Sequence, residues 1–156
     1  MPKDPTERAK EIISKIIYIT IATTSTEGLP WNSPVYSAYD EKYNFFWTSS
    51  LESTHSKNIA NNQNVFISIY DTSDPEGTGE GVYIQAKASE MTNPEEIEKA
   101  LYFFYNRKNK PSKPASDFLN NSPRRLYKAI PEKIWINTYE KINGYGIDGK
   151  LEIKLS

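Results

Sequence analysis

Apolar residues near the start of the chain recur at Ala9, Ile12, Ile13 and Ile16, the three-and-four spacing of one helix face. Asp4, Pro5 and Glu7 precede this stripe as an N-cap, a first-turn proline and an N3 acid, so the chain is expected to open with an amphipathic helix. From Ile17 the period becomes two. Ile17, Ile19 and Ile21 alternate with Tyr18, Thr20 and Ala22, and Glu27-Gly28 supplies a turn. Trp31 to Tyr39 alternates again, Asp40-Glu41-Lys42 turns the chain, and Tyr43 to Thr48 (YNFFWT) reads as an aromatic strand.

Val65, Ile67 and Ile69 face away from Phe66, Ser68 and Tyr70, which predicts the next strand. The loop DTSDPEGTGEG then leads to a strand over Val82 to Met91. Asn93-Pro94-Glu95-Glu96 starts a second helix, with Ile97, Ala100, Leu101 and Phe104 on one face. A Pro, Lys and Ser-rich loop covers Lys108 to Ser116. Strand character returns over Arg124 to Tyr139 and, after a Gly-rich turn, over Leu151 to Leu155. Strands joined by short turns, with helices before and after them, predict an antiparallel sheet in a mainly β (α+β) domain spanning 1–156, its six to seven strands closed into a small barrel.

Composition narrows the chemistry. Nineteen basic and twenty acidic residues give a net charge of −1, so no overall field favours nucleic acid or an anionic membrane. With no cysteine and one histidine, disulfides, thiolate catalysis and multi-His metal centres are excluded, and no metal site is expected. No apolar run approaches a membrane span and no leader-like segment is evident, so the expected location is cytoplasmic. The EGTGEG run lacks a P-loop Lys and leads into a strand. The cluster Arg107, Lys108, Lys110 and Lys113 reads as a solvated loop. No Ser sits in a nucleophile elbow, and Asp71 with Asp74 is too ordinary a pair for glycoside hydrolysis.

The stretch TSSLESTHSKNIANN, Thr48 to Asn62, is different. It holds the one histidine among hydroxyls and amides, with only Ile59 and Ala60 as packing residues, and so predicts a short helix of low intrinsic propensity. Its first turn carries no acid. Open N-terminal amides with Ser53, Thr54, His55 and Lys57 nearby suit an anion such as a phosphate, and Trp47-Thr48-Ser49 just upstream would suit a flat cofactor.

With NSPVYSAYDEKYNFFWTS before this stretch, STHSKNIANNQNV within it, and GVYIQAKASEM and RLYKAIPEKIWIN after it, the chain resembles the FMN-binding split β-barrel proteins related to pyridoxamine 5′-phosphate oxidase, from about residue 17 to 137. The resemblance implies FMN, or a deazaflavin, at a homodimer interface. It places Asn32, Ser33, Pro34 and Val35 along the flavin ring, with Trp47, Thr48 and Ser49 flanking ring and ribityl chain. Ser53, Thr54, His55 and Lys57 fall at the phosphate, Gly81 falls where relatives often have a flavin-contacting Gln, and Trp135 or Asn137 would reach in from the second subunit. The oxidase itself has a C-terminal Arg and His pair; residues 145–156 here contain neither, and Ser37 stands where the oxidase has Lys. Vitamin B6 oxidation is therefore not the expected reaction. What the resemblance implies is a flavin-dependent oxidoreductase acting on a small molecule, with NADH or NADPH as candidate electron donor and no catalytic residue assigned; the alternative is a non-catalytic flavin carrier or sensor.

Overall fold

The computed structural model describes residues 3–156. Asp4 caps the first helix, α1 (Pro5–Lys15), by accepting from the backbone N of Thr6 at 2.9 Å and of Glu7 at 3.3 Å. Ala9 and Ile13 on its inner face are fully buried. The chain then lays down β1 (Tyr18–Thr24), β2 (Pro30–Tyr36), β3 (Ala38–Tyr39) and β4 (Phe45–Ser50) before the short helix α2 (Thr54–Asn61). Next come β5 (Asn64–Tyr70), β6 (Gly81–Glu90), α3 (Pro94–Arg107), a 3₁₀ turn at Ala115–Phe118, β7 (Arg124–Ile142) and β8 (Tyr145–Ile153).

Every strand pairing is antiparallel, in the order β2-β1-β5-β6-β7-β4-β3, with β8 added to β7. Both ends of this path belong to one piece of chain. β2 runs into β3 through Ser37, which is fully buried and donates its backbone N–H to Ile17 O at 2.9 Å. The sheet thus closes on itself as a barrel whose inside is filled by Ile19, Ile21, Phe45, Trp47, Ile67, Ile84 and their neighbours, with α1 over one end. A second apolar layer lies outside the barrel, where α3 packs Ile97, Leu101 and Phe104 against Phe46 and Leu126. Arg107 at the end of α3 fastens the two helices together by donating to the carbonyls of Ile13, Ser14 and Ile16, which α1 itself leaves unpaired.

Three expectations need correction. Trp31 to Tyr39 is not one strand: it bends at Ser37 so that β2 pairs with β1 and β3 with β4. That division makes the strands eight, and the expected last strand, Leu151 to Leu155, is longer than read, Tyr145–Ile153, with its turn at Asn143-Gly144, both at positive φ. β1 begins at Tyr18, leaving Ile17 44% exposed, since its carbonyl is used at the Ser37 corner.

Candidate functional site: a seam between two unpaired strand edges

The barrel is split where β2 and β4 face each other. β2 pairs only with β1, and beyond its two-residue pairing with β3, β4 pairs only with β7. Asn32–Val35 and Trp47–Ser50 therefore offer backbone N–H and C=O groups on their free edges, a condition that either a ligand or solvent must satisfy. Side-chain parity sorts the lining. Ser33, Val35, Trp47 and Ser49 point inward, while Asn32, Pro34, Tyr36, Phe46, Thr48 and Ser50 point outward, Phe46 into the α3 layer.

One end of the seam is closed by α2. His55, half-buried, has Nε2 at 2.6 Å from Ser49 Oγ and 3.2 Å from Ser53 Oγ, and Nδ1 at 3.2 Å from Ser33 Oγ on the opposite strand. The imidazole thus bridges β2 and β4. Burial pulls its pKa below the usual histidine value, so in the free protein the ring is neutral at pH 7. α2 itself rests on polar packing: Ser56, Asn58 and Ile59 are buried, Asn58 donates to Thr23 Oγ1 at 3.0 Å, and Ala60, expected inside, is exposed.

The N-terminus of α2 is open. Its first intrahelical bond runs from Lys57 N to Ser53 O, and the Ser53 side chain does not cap; that hydroxyl sits instead 2.9 Å from Ser50 O and 2.7 Å from Ser56 Oγ. The backbone N–H groups of Thr54, His55 and Ser56 have no helical partner, and the first turn holds no acid. These donors fit a phosphate. Asn32–Val35, Thr48, Ser49, Ser53, Thr54 and His55 are thus gathered around one seam.

Other expected residues stand elsewhere or act otherwise. Trp47 is fully buried, stacked on Tyr127 at 5.7 Å between centroids, so only its backbone can reach a ligand in the seam. Its indole N–H is buried without a partner. Lys57 points away from the open amides and pairs with Glu52 at 2.8 Å. Gly81 pairs with Tyr70, level with the start of β1, whereas α2 touches Thr23 five residues along that strand, about 17 Å away at strand rise. Its N–H is taken by the Asn137 side chain, which also donates to Gly79 O; Asn137 therefore pins the glycine loop. Trp135 lies in the ladder row Pro34, Thr20, Ser68, Tyr83, Trp135, four strand spacings or about 19 Å of sheet from the seam, stacked on Phe66.

Of the cluster expected to be a solvated loop, Lys108 and Lys113 line a cationic pocket beside the seam. A cavity of about 710 Å³ is lined by Thr48, Phe104, Tyr105, Lys108, Lys113 and Arg124, among others. The only sequence signal was the Lys-rich stretch itself, because Arg124 and Thr48 join it through tertiary structure alone. A larger cleft, about 910 Å³, lies between the 71–80 loop and the β7–β8 ribbon, where Asp71, Asp74, Glu76, Glu80 and Asp148 oppose any phosphate.

The architecture is that of a split β-barrel of the α+β class. Residues 5–135 match the family model of pyridoxamine 5′-phosphate oxidase, and the chain belongs to that family. No curated protein matches it. Among solved structures it is similar to a candidate 5-nitroimidazole antibiotic resistance protein of Bacteroides thetaiotaomicron, at 16% identity over 86% of this chain and 84% of that one, with a TM-score of 0.71. It is also similar to a heme binding protein of Mycobacterium smegmatis, at 19% identity and a TM-score of 0.72, covering 97% of this chain but only 59% of the other. An F420 reductase shares 15% identity over 86% of this chain and 98% of that chain, with a TM-score of 0.59. At such identities these likenesses establish the fold alone. No helix among the described residues is long and apolar enough to cross a membrane.

Proposed function

We propose that the protein is an FMN-binding oxidoreductase in which the seam between β2 and β4 holds the flavin and the N-terminus of α2 holds its phosphate. The observation that carries this reading is the junction itself: two free strand edges, able to address a ring's polar rim, meet at unpaired helix amides able to address an anion. Bound FMN would supply hydride and electron exchange at its ring. The chain's own part is to bind and orient: the amides of Thr54, His55 and Ser56 take the phosphate, Thr48 and Ser49 line the sugar-like chain, and His55 locks the two strands at a fixed separation. No side chain in the seam is placed as an acid or base catalyst. A deazaflavin would use the same edges and amides.

Membership of the family supports flavin binding in general. A haem reading, suggested by the Mycobacterium smegmatis neighbour, finds less support, because the one imidazole already has both nitrogens engaged by serines. Mass spectrometry of the ligand that co-purifies identifies the cofactor; purified protein with no flavin-like ligand, and no quenching of added FMN or deazaflavin fluorescence, would overturn the proposal. Anaerobic addition of NADH or NADPH to the loaded protein then separates enzyme from carrier, since only the enzyme bleaches.

The same reading makes the site shared between two copies. Pro34 and Trp135 both face outward from a curved sheet about 19 Å apart, wider than a fused three-ring system, so Trp135 can touch a seam-bound flavin only from a second chain. Complementation tests this. Thr54→Glu and Trp135→Ala each spoil binding alone, but a mixed dimer has one site with both defects and one with none, so mixing the two should restore FMN binding at up to half the sites among mixed dimers. No recovery after subunit exchange would assign Trp135 to no flavin site.

A further inference from the structure

We propose that β8 is an interaction surface for a second copy of this chain: its free edge pairs, antiparallel and about a two-fold axis at Gly149, with the same edge of the other copy. The contact uses neither the seam nor Trp135, so it does not rest on the function proposed above. Where two copies already share a flavin seam, it joins two such pairs.

Among the described residues β8 pairs with β7 alone, from Ile134↔Ile153 to Ile142↔Tyr145. β6 leaves β7 at Val82↔Ile136, so beyond Ile136 the two strands project from the barrel as a ribbon. Asn143 and Gly144, at φ 51° and 83°, form the two-residue turn that closes it. The residues flanking such a turn, Ile142 and Tyr145, form a hydrogen-bonded pair, and bonded and non-bonded pairs then alternate along the ladder. Tyr145, Ile147, Gly149, Leu151 and Ile153 therefore direct their backbone groups at β7. Those of Gly146, Asp148, Lys150 and Glu152 point to the free edge, a template for another strand.

The sequence of this edge is self-complementary. Outward from Gly149, Asp148 mirrors Lys150, Ile147 mirrors Leu151, Gly146 mirrors Glu152 and Tyr145 mirrors Ile153. With Gly149 opposite Gly149, each Asp148 faces Lys150 of the other copy and each Ile147 faces its Leu151, so charges meet their opposites and apolar side chains meet each other. Moving the axis by one residue sets Asp148 against Asp148, or Lys150 against Lys150. A lysine on an edge ordinarily keeps other strands away. In this register it becomes a pairing charge. Among the described residues neither Asp148 nor Lys150 has an ion-pair partner in its own chain. The Lys150 ammonium stands 4.2 Å from the Tyr83 ring centroid, which holds it on the side of the ribbon away from Ile147 and Leu151.

The apolar side of the ribbon lacks cover. Ile147 and Leu151 are each 43% exposed and Tyr145 is 77% exposed, all on the face that continues outward from the buried Ile136 and Ile153. A lone two-stranded ribbon is marginal in water, whereas a sheet of three or more strands with an apolar face is not. Edge pairing makes four strands of two ribbons and packs Ile147 of each copy against Leu151 of the other. Tyr145 of the second copy arrives opposite Ile153, beside a cavity of about 310 Å³ lined by Lys42, Asn44, Glu152 and Leu155, among others. That space accommodates the ring.

The chain has no cysteine, so disulfide cross-linking tests the register directly. In this register Ile147 and Leu151 of the two copies are non-hydrogen-bonded pairs, about 4.5 Å apart at Cα and within reach of a disulfide. Ile147→Cys and Leu151→Cys chains, co-expressed and oxidised, should give a covalent dimer linked from 147 to 151 by peptide mass spectrometry. Either variant alone should give none, since the matching position of the other copy lies four residues away, about 13 Å along the strand. In sedimentation of the cysteine-free protein, Asp148→Lys should weaken self-association about tenfold, and Asp148→Lys combined with Lys150→Asp should restore it. All four positions are exposed, so the variants keep the core intact. No 147–151 link, equal linking in the single variants, or an Asp148→Lys protein that associates as tightly as its parent overturns the proposal and leaves the edge to a different extended chain or to solvent. None of these readouts involves FMN, so failure of the flavin reading leaves the test intact.

Discussion

Thr54→Glu should raise the stability of the ligand-free protein and lower its affinity for FMN. Thr54 is exposed at the first position of α2, where three amides lack partners and no acid offsets the positive end of the helix. A carboxylate there interacts favourably with the helix dipole by about 0.3–1 kcal/mol. For a domain of this size 1 kcal/mol shifts Tm by about 2–4 °C, so a rise of roughly 1–4 °C is expected. The same carboxylate confronts a phosphate dianion at contact range. At about 4 Å a like-charge pair costs about 1 kcal/mol in water and about 4 kcal/mol near a protein surface, so even the lower figure per phosphate charge gives about 2 kcal/mol, or at least tenfold in Kd. Riboflavin, which has the ring and no phosphate, provides the control. Fluorescence-quenching titrations of both flavins, beside a thermal melt without ligand, measure all three quantities. Parallel losses for FMN and riboflavin would show that α2 does not hold the phosphate, and an unchanged FMN affinity would refute the site outright.

Three further outcomes test the structure around the seam. Because burial lowers the pKa of His55, the unfolded chain takes up its proton first as the pH falls; stability from this group is full above about pH 6.5 and declines below it, and His55→Gln should flatten that part of a Tm-against-pH curve. Trp47→Ala should cost about 3–5 kcal/mol by denaturant melts, and Trp47→Phe clearly less, because Phe keeps the stack on Tyr127 and removes the unpartnered indole N–H. Arg107→Ala should cost about 2–3 kcal/mol by the same measurement, leaving three carbonyls at the end of α1 without their donor, and Arg107→Lys should recover little, since one ammonium cannot reproduce the guanidinium's planar fork.

What could be read from the chain followed physical period. Asp4 and Asn93 both cap helices as expected, and the alternation in β1, β5 and β6 gave each strand its buried face correctly because the Ile and Val residues of each fall on one side only. The FFWTS strand is less legible, since Phe45 and Trp47 enter the barrel while Phe46 meets α3; with apolar residues on both faces, parity carries no signal, and the sequence offers Trp47 as a wall of the site when its side chain is core. Lys57 reads as a phosphate ligand because sequence spacing shows proximity to an anion site but not the nearer attraction of Glu52.

The residues of the seam are reached only through the family resemblance; the pattern of the chain does not show the seam itself. An unpaired strand edge is a property of which strands are not neighbours, and β2 and β4 are kept apart by a single buried serine, Ser37, whose bend sends one half of a continuous apolar run to β1 and the other half to β4. Nothing in the residue types marks that corner. Yet the corner creates the seam: it leaves the edges open and aims Ser33 at His55. Binding in this fold is therefore built where the barrel fails to close its ladder, and the side chains that a motif would highlight, His55 above all, serve to hold that gap at a fixed width. Substitutions at Ser37 that straighten the bend should therefore abolish flavin binding in a fluorescence-quenching titration, and full FMN affinity in such a variant would refute this account of the seam.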